Sequence, residues 1–145
     1  MKFIEQLNEG IIAESEAETQ RYANDLAACL PSESTLALYG DVGLGKTTFV
    51  RGLAAYWNIK ETITSPTFNY LLMYKGSRLL VHLDAYRFVH PQKFEELLID
   101  ELLIAPFCLV IEWPENLMQY LPTDAWKLTF TYIGPTQRKL QLKLP

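Results

Sequence analysis

Apolar positions recur along this chain with two different periods, and the change from one to the other marks the expected elements. Trp126 to Tyr132 and Lys139 to Leu144 alternate apolar with polar residues around Gly134-Pro135. That pattern predicts two half-buried strands joined as a terminal antiparallel hairpin. Phe68 to Tyr74 and Arg78 to Leu83 flank Lys75-Gly76-Ser77 and predict a second hairpin. Thr35 to Tyr39 and Phe107 to Ile111 are continuous apolar runs, as expected of strands covered on both faces. The helical period appears at Tyr22, Leu26, Cys29 and Leu30, then at Phe49, Val50, Leu53, Ala54 and Trp57. It returns at Phe94, Leu97 and Leu98, where Pro91 suits a first helical turn. Ser15 and Glu18 form a capping box ahead of the first of these helices, and Pro31 stops it. Pro114 to Tyr120 reads as one short helix. The first fourteen residues are less regular, with a strand expected within Phe3 to Leu7 or at Ile11-Ile12.

Between the apolar run at Thr35 and the helix that carries Phe49 lies GDVGLGKTT, Gly40 to Thr48. It fits the phosphate-loop pattern G-x-x-x-x-G-K-[ST] through Gly40, Gly45, Lys46 and Thr47. Glycines let successive backbone N–H groups turn towards an anion. Lys46 supplies a charge that reaches outer phosphates, the Thr47 hydroxyl can ligate magnesium, and the following helix offers its positive end. Strand, glycine loop and helix is the context that the pattern requires. Gly40, Asp41, Gly43, Leu44, Gly45, Lys46, Thr47 and Thr48 are therefore candidate contacts for a nucleotide. The expected fold class is α/β: a three-layer sandwich like that of phosphate-loop NTPases, with a mixed, mostly parallel sheet and β-hairpin insertions. The length of 145 residues suits a single domain, 1–145.

Three further stretches carry candidate chemistry. TITSPTFN, Thr62 to Asn69, is rich in hydroxyls, and Thr67 in such a loop can approach a γ-phosphate; an ordinary loop leading into a strand explains it equally well. HLDAYR, His82 to Arg87, ends an apolar strand at Asp84, where α/β sheets place their chemistry. His82 lacks a partner at metal-ligand spacing and reads as a packed histidine, while Arg87 suits either phosphate charge or a salt bridge. Glu112 follows the apolar run of Phe107 to Ile111, and an acid there is the second half of a phosphate-loop ATPase site. Asp84 and Glu112 compete for the magnesium-linked role. The more apolar strand favours Glu112, leaving Asp84 nearer the γ-phosphate. Trp113 packs over the site or on a core, and Arg138 reaches a nucleotide if the terminal hairpin docks beside it, or else faces solvent. Glu95, Glu96, Asp100 and Glu101 read as a solvated face.

Charge and composition narrow the partners. A formal net charge of −4 argues against a large basic nucleic-acid surface, so any RNA contact needs a local patch or a partner. Cys29 and Cys108 stand far apart in apolar segments, with neither metal spacing nor a disulfide framework, and read as buried free thiols. Neither a secretory leader nor an apolar run of membrane length is present, so the expectation is a soluble cytoplasmic protein without a membrane partner.

GDVGLGKTT, SPTF, HLDAYR and LVIEWPE, in this order and spacing, resemble the bacterial TsaE (formerly YjeE) proteins over about Ser15 to Arg138. The resemblance implies a small ATPase needed to make threonylcarbamoyladenosine beside the tRNA anticodon. It implies ATP and Mg2+ as cofactors and action with TsaB and TsaD, the latter the transferase subunit, which hydrolysis resets between turnovers; contact with tRNA is then indirect. By position, Gly43 to Thr48 would hold the phosphates, Thr47 and Glu112 magnesium, and Asp84 would be the acid needed for hydrolysis. Thr67 would lie in a loop that senses nucleotide state. An N-terminal nucleotide contact falls between Ser15 and Thr19, and a C-terminal one on Arg138. Gln137 stands where the family usually has glycine, and Leu44 where many members have alanine.

Rival readings share the phosphate loop. A nucleotide or nucleoside kinase needs several arginines and a lid, and no arginine-rich lid is visible here. A GTPase needs N-K-x-D, and the nearest string, Asn58-Ile59-Lys60-Glu61, does not match. A nucleotide-gated binding module with negligible hydrolysis is the non-enzymatic alternative.

Overall fold

The computed structural model describes residues 2–66, 70–88, 90 and 92–145. Helix α1 (Lys2–Glu9) leads into β1 (Ile11–Ala13), α2 (Glu16–Ala27), β2 (Glu33–Tyr39) and α3 (Lys46–Tyr56). The hairpin β3 (Leu71–Lys75) and β4 (Leu79–Asp84) follows, then short α4 (Gln92–Glu96) and α5 (Ile99–Leu102). Strand β5 (Phe107–Glu112), a 3-10 stretch (Pro114–Tyr120) and the hairpin β6 (Trp126–Tyr132) and β7 (Arg138–Lys143) complete the chain. The strands form a single sheet in the order β1-β7-β6-β2-β5-β4-β3.

β2 is parallel to β5 and β6, and β4 is parallel to β5. The two hairpins and the β1–β7 pair are antiparallel. The sheet is thus mixed, as the hairpin patterns predict, with the parallel strands at its centre. The helical layer of α2 and α3 packs on one face against Leu36, Leu38, Leu128 and Leu140. On the other face, Val81, Leu83, Leu109 and Ile111 are covered by Phe88, Ile99 and Leu117.

α2 and α3 approach closely because Gly52 offers no side chain. A Cβ there would lie 2.6 Å from the Ala23 Cβ and would also strike the Gln20 carbonyl. Gly52→Ala should therefore destabilise the protein by about 1–3 kcal/mol, the usual cost of overpacking, despite alanine's better helix propensity. Urea denaturation checks this.

Several expectations need correction. Phe3 to Leu7 is helical, and the strand is the alternative at Ile11. Ile4 and Leu7, one turn apart, are buried, while Glu5, Gln6 and Asn8 face water, so the segment follows the helical period. α2 ends at Ala27, before Pro31 is reached. Leu98 does not belong to a buried stripe with Phe94 and Leu97: it is left-handed (φ 51°) and 57% exposed, where the chain breaks between α4 and α5. The 3-10 stretch is kinked at Leu117 rather than one regular turn of helix. Cys108 is buried but Cys29 only half so. Burial pushes the Cys108 thiol up to about 12, so it is inert while the fold holds. Pro91 lies outside the described residues.

Candidate nucleotide and metal site

The carboxyl ends of three adjacent strands define the site. In the strand register Leu38 of β2 pairs with Glu112 of β5, and Glu112 pairs with Asp84 of β4. One row across the sheet edge thus brings two acids beside the strand that launches the glycine loop. The Ala85 N–H donates to the Glu112 carbonyl at 2.9 Å and holds this edge together.

The loop closes on itself through glycine geometry. Gly40 has φ 138°, and a Cβ there would come within 2.9 Å of the Phe130 carbonyl. Gly45 is left-handed (φ 92°) and caps α3 without any side-chain acceptor. The first-turn N–H groups of α3 therefore have no side chain to satisfy them, and no acid stands in that turn. That is the arrangement of a helix N-terminus open to an anion.

Lys46 is 5% exposed and folds back on this loop. Its Nζ donates to the Gly40 carbonyl at 2.5 Å and sits 4.6 Å from the centre of the Trp113 ring. Trp113 is itself left-handed (φ 57°) and packs on Tyr86. It lies over the site and also packs against the core beneath β4 and β5, so both sequence readings hold.

Asp84 is half-buried and lines the same cavity. Its Oδ1 accepts from the Tyr86 N–H at 2.9 Å. Burial raises its carboxyl above the ordinary aspartate range; the Tyr86 N–H works against this, and the Glu112 charge adds to it. Glu112 lies deeper, 5% exposed, with its Oε2 at 2.5 Å from His82 Nε2. His82 is fully buried, and its Nδ1 has no hydrogen-bond partner among the described residues. Packing alone, the sequence reading of His82, misses this bond. The signal was present in the alternation: His82 and Asp84 are two apart on one strand, so both share the face that Glu112 occupies on the next.

Two adjoining cavities meet at Gly43 and Gly45. One, of about 530 Å³, runs past Lys46, Thr47, Asp84, Arg87 and Glu112. The other, of about 460 Å³, lies between Ser15, Thr19, Leu44, Thr48 and Arg138. Glu16 borders both cavities, as Thr48 does, and so narrows the N-terminal nucleotide contact expected between Ser15 and Thr19. Asp41 is exposed and borders neither cavity, and Gly40 contributes only its carbonyl. Ser65 borders the first cavity; Thr67 lies outside the described residues.

The walls of the second cavity are tied together. The Ser15 hydroxyl accepts from the Glu18 N–H at 3.2 Å. Glu18 Oε1 accepts in return from Glu14, one residue earlier than a standard capping box. Gln137 donates to Glu14 at 2.6 Å, joining the β6–β7 turn to the approach of α2, a contact that glycine at this position could not make. Arg138 donates to the Gly134 and Gln137 carbonyls at 2.7 and 2.8 Å, and to the Gly43 carbonyl at 3.5 Å. The terminal hairpin therefore does dock beside the glycine loop.

A family profile described as "Threonylcarbamoyl adenosine biosynthesis protein TsaE" matches residues 13–140, which takes in every residue of this site. The chain belongs to the TsaE family. It is 39% identical over 137 residues to a "tRNA threonylcarbamoyladenosine biosynthesis protein TsaE" of Rickettsia bellii, covering 93% of this chain and 94% of that one. The TsaE protein of Treponema pallidum is 36% identical, covering 89% and 96%. The crystal structure of Bacillus subtilis YdiB superposes with a TM-score of 0.77 at 26% identity, over 93% of this chain and 84% of that chain. The α/β fold and the TsaE assignment thus agree with the reading of the four motifs. No helix among the described residues is long and apolar enough to cross a membrane.

Proposed function

We propose that this chain is a magnesium-dependent ATPase of the machinery that makes threonylcarbamoyladenosine in tRNA, acting with TsaB and TsaD in the cytoplasm. The observation that carries the reading is the alignment of the uncapped α3 N-terminus, Lys46, Asp84 and Glu112 along one sheet edge.

The residues fit both ATP and Mg2+. The N–H groups of Gly43 to Thr48 and the Lys46 ammonium hold the phosphates, while Ser15, Thr19, Leu44 and Arg138 border the space for the rest of the nucleotide. No group of three or more metal-ligating side chains converges among the described residues. Magnesium does not need one, since it keeps waters and takes ligands from substrate phosphates. The Thr47 hydroxyl and Glu112 would supply the protein's share, with the Glu112 carboxylate held by His82. When bound, Mg2+ neutralises charge that develops on the transferring phosphoryl group. Asp84 orients the attacking water, and Lys46 with the loop N–H groups stabilises the equatorial oxygens of the γ-phosphate in an in-line displacement. Thr67 is the candidate that reads nucleotide state.

The competing kinase reading predicts a different destination for the phosphoryl group. With γ-labelled ATP, TsaB, TsaD and a mixture of nucleosides and nucleotides present, label should appear as inorganic phosphate. Label on a nucleoside or nucleotide would replace the ATPase reading with a kinase.

A further inference from the structure

The alternation along the terminal hairpin makes one half of a sheet face polar, bordered at its Lys127–Lys143 end by Tyr39, Met118, Leu121 and Pro122. Leu128, Phe130, Leu140 and Leu142 point into the α2–α3 core, and their neighbours Lys127, Thr129, Thr131, Lys139, Gln141 and Lys143 point the other way. The apolar layer that covers this side over β4 and β5 includes no residue of β6 or β7.

The charge that β6 and β7 turn to this face is one-sided: Lys127, Lys139 and Lys143 with no acid, within a sequence of net charge −4. In the register Lys127 stands directly opposite Lys143, an arrangement that opposes strand pairing. Among the described residues no salt bridge is formed by Lys127, Lys139 or Lys143. Edge protection does not explain them, because β6 and β7 lie inside the sheet, with β1 and β2 on their flanks. Lys139 is held in place by the close approach of its stem to Gly10, and Gln141 by its bond to the Asn8 carbonyl at 3.1 Å.

We propose that this face binds the phosphate backbone of tRNA directly, in place of the indirect contact that the family resemblance implies. Charge complementarity selects a polyanion, and lysine, threonine and glutamine are residue types that contact phosphate and ribose. Lys139 and Lys143 are four strand positions apart, so the charges extend over about 13 Å of a flat surface. The two strands turn no aromatic ring to this side, and Tyr39 of the adjacent β2 is half-buried beside Lys127 and Lys143, so the contact reads chiefly backbone. Arg138 and Lys139 are consecutive and face opposite ways, one to the nucleotide cavity and one to this surface. The choice of tRNA among polyanions rests on the function proposed above, but the binding needs neither ATP nor hydrolysis.

The test is a fluorescence-anisotropy titration of a labelled tRNA transcript with the full chain, without nucleotide, across rising salt. Three lysines predict a slope of log affinity against log salt of about −3. Each of Lys127→Gln, Lys139→Gln and Lys143→Gln should reduce that slope by about 1, and the triple variant should lose binding at low salt. Lys127→Glu guards against misfolding: it places opposite charges across the strands, so it should melt no lower than wild type and still bind RNA more weakly. Absence of RNA binding at low salt, or binding that the substitutions leave unchanged, would overturn the proposal. So would competition by polyglutamate as effective as by RNA, which would assign the face to an acidic protein instead. None of these outcomes bears on ATP hydrolysis.

Discussion

Asp84→Asn should lose ATP hydrolysis by roughly 10²–10³-fold, bind ATP nearly as well as wild type, and melt at a higher temperature without nucleotide. The first effect follows from its position in the cavity of Lys46 and Thr47, where a carboxylate can accept a hydrogen bond from an attacking water. The amide keeps an oxygen for the Tyr86 N–H but removes the charge. The thermal effect follows from the raised carboxyl. Burial and the Glu112 charge disfavour the ionised form, so the native state holds its proton at pH values where the unfolded chain has lost it. Stability therefore falls as pH rises from the ordinary value of 3.8 through the raised native one, and that penalty is fully present above it. Asparagine carries no such penalty. The melting curves of variant and wild type should lie closest in acid and separate as pH rises, readable by differential scanning calorimetry. Normal phosphate release by Asp84→Asn with TsaB and TsaD present would remove Asp84 from the mechanism.

Lys46→Ala should weaken ATP binding by about 30–150-fold, the range expected for losing a charge-assisted contact of about 2–3 kcal/mol. The ammonium is buried against the Gly40 carbonyl and the face of Trp113, so its position is already set at the loop before any phosphate arrives. Pre-organisation of this kind lowers the cost of binding. Lys46→Arg should not rescue it, because a planar fork does not occupy the space of a compact ammonium enclosed by the loop and an indole. Isothermal titration with ATP and Mg2+ measures both variants. The same removal strips Asp84 of one of the charges that hold its carboxyl down, so the stability Lys46→Ala loses relative to wild type should be larger at neutral pH than in acid.

The parts of this fold that sequence makes legible are those with local causes. The β2–loop–α3 unit is written in consecutive residues, and each terminal strand of the β6–β7 hairpin shows its buried face by alternation. The first helix was ambiguous because Lys2–Glu9 spans only about two turns, too few repeats to separate its period from that of a strand. Leu98 misled for a related reason: its spacing from Phe94 is helical, but α4 stops before it. The site divides in the same way. Lys46, Thr47, Asp84 and Glu112 announce themselves by motif or by position at a strand end. The His82–Glu112 bond and the place of Glu16 between the cavities depend on register and helix docking, which involve residues distant in sequence. Arg138 lay between these cases. Sequence places it where the terminal hairpin turns, but only the folded turn shows it meeting Gly43.

The most direct test of the central claim is steady-state phosphate release from ATP and Mg2+ by the protein alone and after addition of TsaB and TsaD. The account predicts slow turnover alone and stimulation by the pair, with the stimulated rate abolished by chelation of magnesium and by Asp84→Asn. Tight nucleotide binding with no turnover under either condition would contradict it and leave a nucleotide-gated binding module.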